Sequence, residues 1–98
     1  MKVNFQIYDQ GEDVLLAACD KEILGDTLEE EDIRLEVKES FYGKNQIELK
    51  RLESKFKRST IANLVGEKVV RKAVEAGFGH EEDIMEIDGV PHLQIVRL

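Results

Sequence analysis

The N-terminal part of the chain has the hydrophobic pattern of a β-hairpin. From Lys2 to Tyr8, apolar and polar residues alternate, which is the two-residue period of a strand with one buried face. Residues 9–13 (Asp-Gln-Gly-Glu-Asp) are typical of a turn, and residues 14–19 are almost wholly apolar. The pattern therefore predicts two antiparallel strands, the second of which is covered on both faces.

Further strand signals follow in the middle and at the end of the chain. Residues 20–25 carry a capping Asp, an apolar pair and a final Gly, which predicts a single helical turn. A polar, acidic linker then leads to a third alternating strand at residues 33–37. Residues 84–87 predict a short strand, and the Asp-Gly pair at 88–89 predicts a tight turn into a last strand over residues 90–98.

A helical period replaces the strand period between these two regions. Leu49, Leu52 and Phe56 recur at helical spacing, which predicts a first helix over residues 45–57 with a polar or basic outer face. From Ser59 to Gly79 the apolar residues fill one continuous arc at about 100° per residue, which predicts a central amphipathic helix. The predicted fold is α+β: an N-terminal hairpin plus a third strand, two consecutive helices and a C-terminal hairpin, forming one mixed sheet packed by the helices.

Composition limits the chain to one domain. With 98 residues, of which 42% are hydrophobic, there is material for a single core. Cys19 is the single cysteine, so an intrachain disulfide is excluded, and no apolar run is long enough to span a bilayer. Because the N-terminus begins with a strand pattern in place of a signal sequence, we expect a cytoplasmic protein.

Charge is unevenly distributed along the chain. The formal net charge of −7 argues against a protein whose whole surface coats nucleic acid. Acidic residues crowd positions 20–32, whereas positions 44–58 hold six basic and two acidic residues, a local charge of +4. This stretch is either a solvated helix face or a contact for phosphates. The basic side chains that we expect to make such a contact are Lys50, Arg51, Lys55 and Arg58.

Four other side chains are candidates for a small-molecule site. They supply a phenol, an amide, a carboxylate and an imidazole, and they are Tyr42, Asn63, Glu67 and His92. Tyr42 belongs to an aromatic pair with Phe41, of which a small core usually buries one ring and half-buries the other. His92 follows closely on the predicted tight turn. Two interpretations remain: Tyr42 is a core residue and His92 a strand-bonded imidazole, or both side chains line a ligand pocket.

Gly66 is unusual in the predicted central helix, because a glycine inside a helix costs about 1 kcal/mol relative to alanine. With Ala62 and Ala73 it would form a groove of small residues along the apolar face. Either the helix packs closely on the sheet or the first helix there, or a partner or ligand lies at the groove's edge beside Asn63. The glycines form neither a G-x-G-x-x-G nor a P-loop motif, so no nucleotide site is predicted.

The reactive side chains predict neither a metal site nor a cofactor. Cys19 ends the most apolar run of the chain and is interpreted as an inert core thiol, with a Cys-His nucleophilic pair as the alternative. His80, His92 and the acidic residues 81–83 can bind metal, but they lack the spacing of a motif such as H-E-x-x-H. The residues favour a non-enzymatic protein over an enzyme.

Four separated motifs resemble a small archaeal family that is catalogued as a domain of unknown function. They are Leu-Leu-Ala-Ala-Cys-Asp (15–20), Glu-Ser-Phe-Tyr-Gly (39–43), Thr-Ile-Ala-Asn-Leu-Val-Gly-Glu (60–67) and Gly-Val-Pro-His (89–92). The resemblance covers essentially the whole chain and implies an archaeal, cytosolic, stand-alone α+β protein. It brings no activity and no catalytic residues, and Lys44 stands where the family would have a second glycine after Gly43.

Charge segregation, without a catalytic constellation, leads to a functional hypothesis. We expect a binding or adaptor module that presents its basic first helix and the edge of the Asn63/Gly66 helix to RNA, a ribonucleoprotein or a protein partner. The alternative is a small-molecule-binding protein or enzyme, which requires Tyr42, Asn63, Glu67 and His92 to converge. A homodimer joined through sheet edges is a third alternative.

Overall fold

The computed structural model describes residues 1–97, which form eight strands and three α-helices. The strands are β1 (Lys2–Gln10), β2 (Asp13–Asp20), β3 (Thr27–Glu30), β4 (Ile33–Glu36), β5 (Asn45–Glu48), β6 (Ile61–Val65), β7 (Met85–Ile87) and β8 (Val90–Val96). The helices are α1 (Glu39–Tyr42), α2 (Leu52–Arg58) and α3 (Glu67–Glu75), and short 3-10 turns occupy Lys21–Ile23, Leu49–Arg51 and Glu81–Asp83. Across these residues no helix combines the length and apolar character that a membrane span needs.

Six strands form one mixed sheet in the order β5-β1-β2-β6-β8-β7. β2 and β6 are parallel, and all other neighbours in this sheet are antiparallel. The predicted N-terminal hairpin is confirmed, with Val3 opposite Asp20 and Gln10 opposite Asp13. The second strand is covered on both faces as expected, since residues 16–20 are all buried.

The predicted central helix over residues 59–79 is wrong in its first half. Residues 61–65 form β6, which lies between β2 and β8 inside the sheet. A strand that is covered on both faces loses the two-residue alternation, so its apolar and small residues also fit the arc of a helix. The β-branched Ile61 and Val65 suit the strand. The helix therefore begins only at Glu67, after Gly66.

The predicted first helix is likewise too long. The prediction covers residues 45–57, but residues 45–48 form the edge strand β5, which pairs with β1. A 3-10 turn follows this strand. Regular helix begins at Leu52. Leu52 and Phe56 are one turn apart and both buried, so the helical spacing describes α2 alone.

The predicted acidic linker and third strand form a hairpin of their own. β3 and β4 pair with each other in a two-stranded sheet and do not join the six-stranded one. Glu31, in the turn between them, has a φ of 56°. The linker prediction is wrong for residues 27–30, which form β3. The sequence gives no strand signal there, because Leu28 is the only buried residue and a single apolar position shows no period. We term residues 27–36 the acidic hairpin.

The six-stranded sheet carries an apolar cluster on each face. On the helical face, Phe56 of α2 and Val69 of α3 belong to one cluster with Leu16 and Leu64 of the sheet. On the opposite face, which we term the hairpin face, α1 and the acidic hairpin cover the second cluster. Its buried members are Ala17, Cys19, Leu28, Val37, Tyr42, Val65 and Ile87. Successive residues of β2 alternate between the two clusters, as a strand covered on both sides requires.

The predicted C-terminal hairpin is confirmed. Asp88 and Gly89 have φ values of 54° and 78°, and a type I′ turn needs positive φ at both central positions. β7 and β8 pair across this turn. Leu98, the last residue of the predicted strand, lies outside the described residues. The α+β class is thus confirmed, with strands where the first residues of each predicted helix were expected.

Candidate functional site

The ends of β2 and β6 meet the start of α3 at a tight junction. β2 ends on Asp20, whose carboxylate accepts hydrogen bonds from the backbone N–H groups of Lys68 and Val69, both at 3.0 Å. The side chain therefore caps α3 from a strand that is distant in sequence. Burial raises the pKa of the Asp20 carboxyl, although the two amide contacts act in the opposite direction.

Gly66 gives this junction the space that it needs. Its φ of 120° and ψ of 151° lie in a region that L-residues avoid. A Cβ at this position would lie 2.6 Å from Oδ1 and 2.8 Å from Cβ of Asp20. Ala62 and Ala73 belong to different elements, β6 and α3, so the predicted small-residue groove along one helix is wrong. The glycine instead admits the capping carboxylate.

α1 holds Tyr42 against the hairpin face of the sheet. The Tyr8 hydroxyl donates to the carbonyl of Phe41 at 2.6 Å, and Nδ2 of Asn4 donates to the carbonyl of Gly43 at 3.0 Å. These bonds attach the short helix to β1, and the Tyr8 ring stacks on Phe41. The aromatic pair behaves as expected, because Tyr42 is buried and Phe41 is half-buried.

Tyr42, Asn63 and His92 form one hydrogen-bonded cluster on this face. The Tyr42 hydroxyl donates to Oδ1 of Asn63 at 2.9 Å, and Nε2 of His92 lies 3.2 Å from the same oxygen. Because a carbonyl oxygen only accepts hydrogen bonds, Nε2 carries the imidazole proton and Nδ1 is left as an acceptor. Three of the four side chains predicted for a small-molecule site are therefore in contact.

Burial favours the uncharged forms of Tyr42 and His92 in this cluster. It raises the pKa of the Tyr42 phenol, with a further contribution from Cys19, and it lowers the pKa of His92. Among the described residues, Nδ2 of Asn63 and Nδ1 of His92 have no hydrogen-bond partner. The cluster can thus offer the two N–H donors of Asn63 Nδ2 and one acceptor, Nδ1 of His92, to a polar ligand.

Glu67 does not join the cluster. It is exposed at the start of α3, on the helical face, where it forms an ion pair with Arg71. Four clefts on the surface of residues 1–97 are lined by side chains other than Tyr42, Asn63 and His92. The structure therefore brings three of the four predicted residues together, in a cluster that lines none of these clefts.

The predicted phosphate-binding side chains lie on the helical face, beside β1. Lys50 and Arg51 belong to the 3-10 turn before α2, and Lys55 and Arg58 belong to α2 itself. We term these four residues the basic segment. Within residues 1–97, Lys50 and Arg51 form no ion pair, whereas Arg58 pairs with Asp9 at 3.8 Å. Nζ of Lys55 lies 5.5 Å from the centre of the Phe5 ring, a cation–π distance.

The sheet separates the basic segment from the acidic hairpin. α2 packs on the helical face through Leu52 and Phe56, and the acidic hairpin packs on the hairpin face through Leu28 and Leu35. The uneven charge along the sequence is therefore also a separation in space, with the two charged stretches on opposite sides of the sheet.

Cys19 and the metal-capable side chains form no reactive site in the described part of the chain. Cys19 is fully buried, and burial together with the charges of Asp20 and Glu22 raises the pKa of its thiol to about 12. A thiol that stays protonated at neutral pH is a poor nucleophile. Residues 1–97 contain no group of three His, Cys, Asp or Glu side chains that could hold a metal ion.

These features define a class of small α+β proteins with a six-stranded mixed sheet, two helices on one face, and a short helix and a separate hairpin on the other. The chain belongs to the family described as "Protein of unknown function (DUF424)", which matches residues 8–98. The resemblance to a family of unknown function that the sequence motifs indicated is thereby confirmed.

A solved structure with the same fold comes from an archaeon. It is the crystal structure of an uncharacterized conserved protein from Methanopyrus kandleri, with a TM-score of 0.84 and 30% sequence identity. The similarity covers 100% of this chain and 95% of that one. No curated protein matches the chain. Family and fold are therefore established, and the function has to be inferred from the residues of this chain.

Proposed function

We propose that the protein is a non-enzymatic module that binds RNA, alone or within a ribonucleoprotein, through the basic segment. The observation that carries the proposal is the separation of charge by the sheet. A polyanion that approaches α2 on the helical face meets these cationic side chains, with Glu48 and Glu75 beside Lys50, while the carboxylates of the acidic hairpin are on the far side. Binding of phosphates by Lys and Arg releases counterions and does not require a basic protein overall.

The state of the four cations supports this function. Lys50 and Arg51 are exposed and, within the described residues, unpaired, so contact with a phosphate breaks no existing ion pair. The ion pair of Arg58 with Asp9 is exposed, and such pairs contribute only about 0–1 kcal/mol. A phosphate can therefore replace Asp9 at little cost.

Fluorescence anisotropy with a labelled single-stranded RNA of mixed sequence tests the proposal. If all four cations contact phosphates, the logarithm of the binding constant falls with the logarithm of the salt concentration with a slope of about −3. Raising the salt from about 50 mM to about 200 mM should then weaken binding on the order of fifty-fold. A slope near zero would contradict a phosphate contact.

A pair of charge-reversal variants tests the location of the contact. Lys50→Glu with Arg51→Glu should nearly abolish RNA binding, because two favourable contacts become repulsive. Lys21→Glu with Lys38→Glu changes the net charge equally but flanks the acidic hairpin, and it should leave most of the affinity. Equal losses in both variants would mean general repulsion of RNA by an acidic protein. Reversal of the whole basic segment should likewise abolish co-purification with RNA or ribosomal particles.

The second candidate function is binding or conversion of a small molecule at Tyr42, Asn63 and His92, which the shared oxygen of Asn63 favours. A ligand with one acceptor and one donor would bind Nδ2 of Asn63 and Nδ1 of His92. NMR spectra of the labelled protein separate the two functions, since RNA should shift the amide signals of residues 49–58 and a metabolite library those of Asn63 and His92. A library that leaves both signals unmoved removes the second candidate.

A further inference from the structure

We propose that a groove beside α3, distinct from the basic segment, binds a basic and partly apolar segment of a partner protein. The groove lies between the outer side of α3 and the residues that lead from the last 3-10 turn into β7, and its volume is about 390 Å³. This site goes beyond the proposed RNA contact, because its lining is acidic and apolar and therefore suits a cationic ligand, whereas the basic segment suits an anionic one.

The floor of the groove is apolar. Val70 is buried, and Val74 and Ile84 are half-buried and pack against the core cluster of the helical face. The accessible parts of Val74 and Ile84 would be removed from water by contact with methylene or alkyl groups, which lowers the free energy. The groove therefore favours an occupant that has apolar groups as well as charge.

The rim of the groove is negatively charged. Glu75, Glu81 and Glu86 are exposed there and, within residues 1–97, form no ion pair, although Glu75 also lines a neighbouring cleft with Lys50 and Lys72. The fourth rim carboxylate, Glu67, is paired with Arg71. Lys and Arg fit this arrangement, because their methylene stems lie along apolar surface while their charged heads reach carboxylates.

Length limits the occupant to a short segment. The nine residues of α3 extend over about 14 Å, which an extended chain covers with about four residues. The occupant is thus a stretch of about five residues in which Lys or Arg alternates with apolar side chains. The acidic hairpin carries the same type of charge but lines none of the four clefts, so it serves as an internal control.

The test is an NMR titration of the whole labelled chain with the blocked peptide Lys-Leu-Arg-Leu-Lys. Amide shifts should be confined to residues 67–75 and 81–86. The peptide Lys-Ser-Arg-Ser-Lys should bind about tenfold more weakly, because it cannot use the apolar floor. Equal binding of the two peptides, or shifts centred on the acidic hairpin, would overturn the proposal.

Matched variants separate the groove from general attraction. Replacement of Glu75, Glu81 and Glu86 by Gln should weaken peptide binding about tenfold, the factor expected for three exposed ion pairs. The control variant carries Glu29→Gln, Glu31→Gln and Asp32→Asn, has the same net charge and should bind within about twofold of the unmodified chain. Equal losses would refute the groove. Since no RNA is used, this result and that of the RNA experiment are independent.

Discussion

Replacement of Gly66 by alanine tests the junction from which α3 begins. The backbone there adopts a conformation used almost only by glycine, so alanine costs about 1–3 kcal/mol. The new Cβ would lie 2.6 Å from Oδ1 of Asp20, so the carboxylate must leave the amides of α3. Loss of such a cap costs about 0.5–2 kcal/mol. The sum, about 1.5–5 kcal/mol, is a large share of the stability of a domain of this size, about 5–15 kcal/mol.

Urea and thermal denaturation followed by circular dichroism measure this loss. For a domain of this size we expect the melting temperature of Gly66→Ala to fall by at least about 6 °C. Gly11→Ala is the matched control, because Gly11 also has a positive φ, 76°, but no atom lies within 4 Å of a Cβ built there. It should lose only about 1 kcal/mol, the conformational term alone. If Gly66→Ala costs no more than Gly11→Ala, the argument from the Asp20 contact is refuted.

Two further predictions concern the hydrogen bonds of the site. Asp20→Ala removes the acceptor of two α3 amides and should lower the free energy of unfolding in urea by about 1–2 kcal/mol, whereas Asp20→Asn, which keeps one acceptor oxygen, should lose less. Burial lowers the pKa of His92 from 6.5. Below about pH 6.5 the imidazole is therefore protonated more readily in the unfolded chain than in the folded one. The free energy of unfolding should fall as the pH is lowered through this range. His92→Gln should remove that component, with a slope of at most about 1.4 kcal/mol per pH unit, and unchanged pH dependence in this variant would contradict the assignment.

The two main hairpins are predictable from sequence because their signals are local. A type I′ turn needs residues that tolerate positive φ, and Asp88-Gly89 supplies them. The first strand has one half-buried face and hence a clear alternation. β6 and β5 are misread for a different reason, since the pairing partners that make them strands are distant in sequence. Nothing near Ile61 reveals that it lies beside Leu15.

The sequence predicts which single side chains of the candidate site are chemically useful, but it does not predict how they are arranged. Tyr42, Asn63 and His92 are chosen for their chemistry, and their shared hydrogen bonds then depend on three elements whose arrangement the sequence does not show. Asp20 is missed as the cap of α3 because a capping residue is normally sought just before its helix. The one available signal is Gly66 itself. A glycine where a helix was expected indicates that backbone or side chain from elsewhere approaches closely.

The junction of Asp20 and Gly66 also explains why the proposed phosphate contact lies elsewhere. Anionic ligands of α/β folds commonly bind where parallel strands end and a following helix begins, since the free amides of the first turn attract negative charge. β2 and β6 end together at such a place. Here the carboxylate of Asp20 already occupies the amides of Lys68 and Val69, and a phosphate would have to displace a charged group held by two hydrogen bonds. The proposed contact with phosphate therefore falls to side chains on the outside of the fold, because the cations of the basic segment are not held by a buried carboxylate.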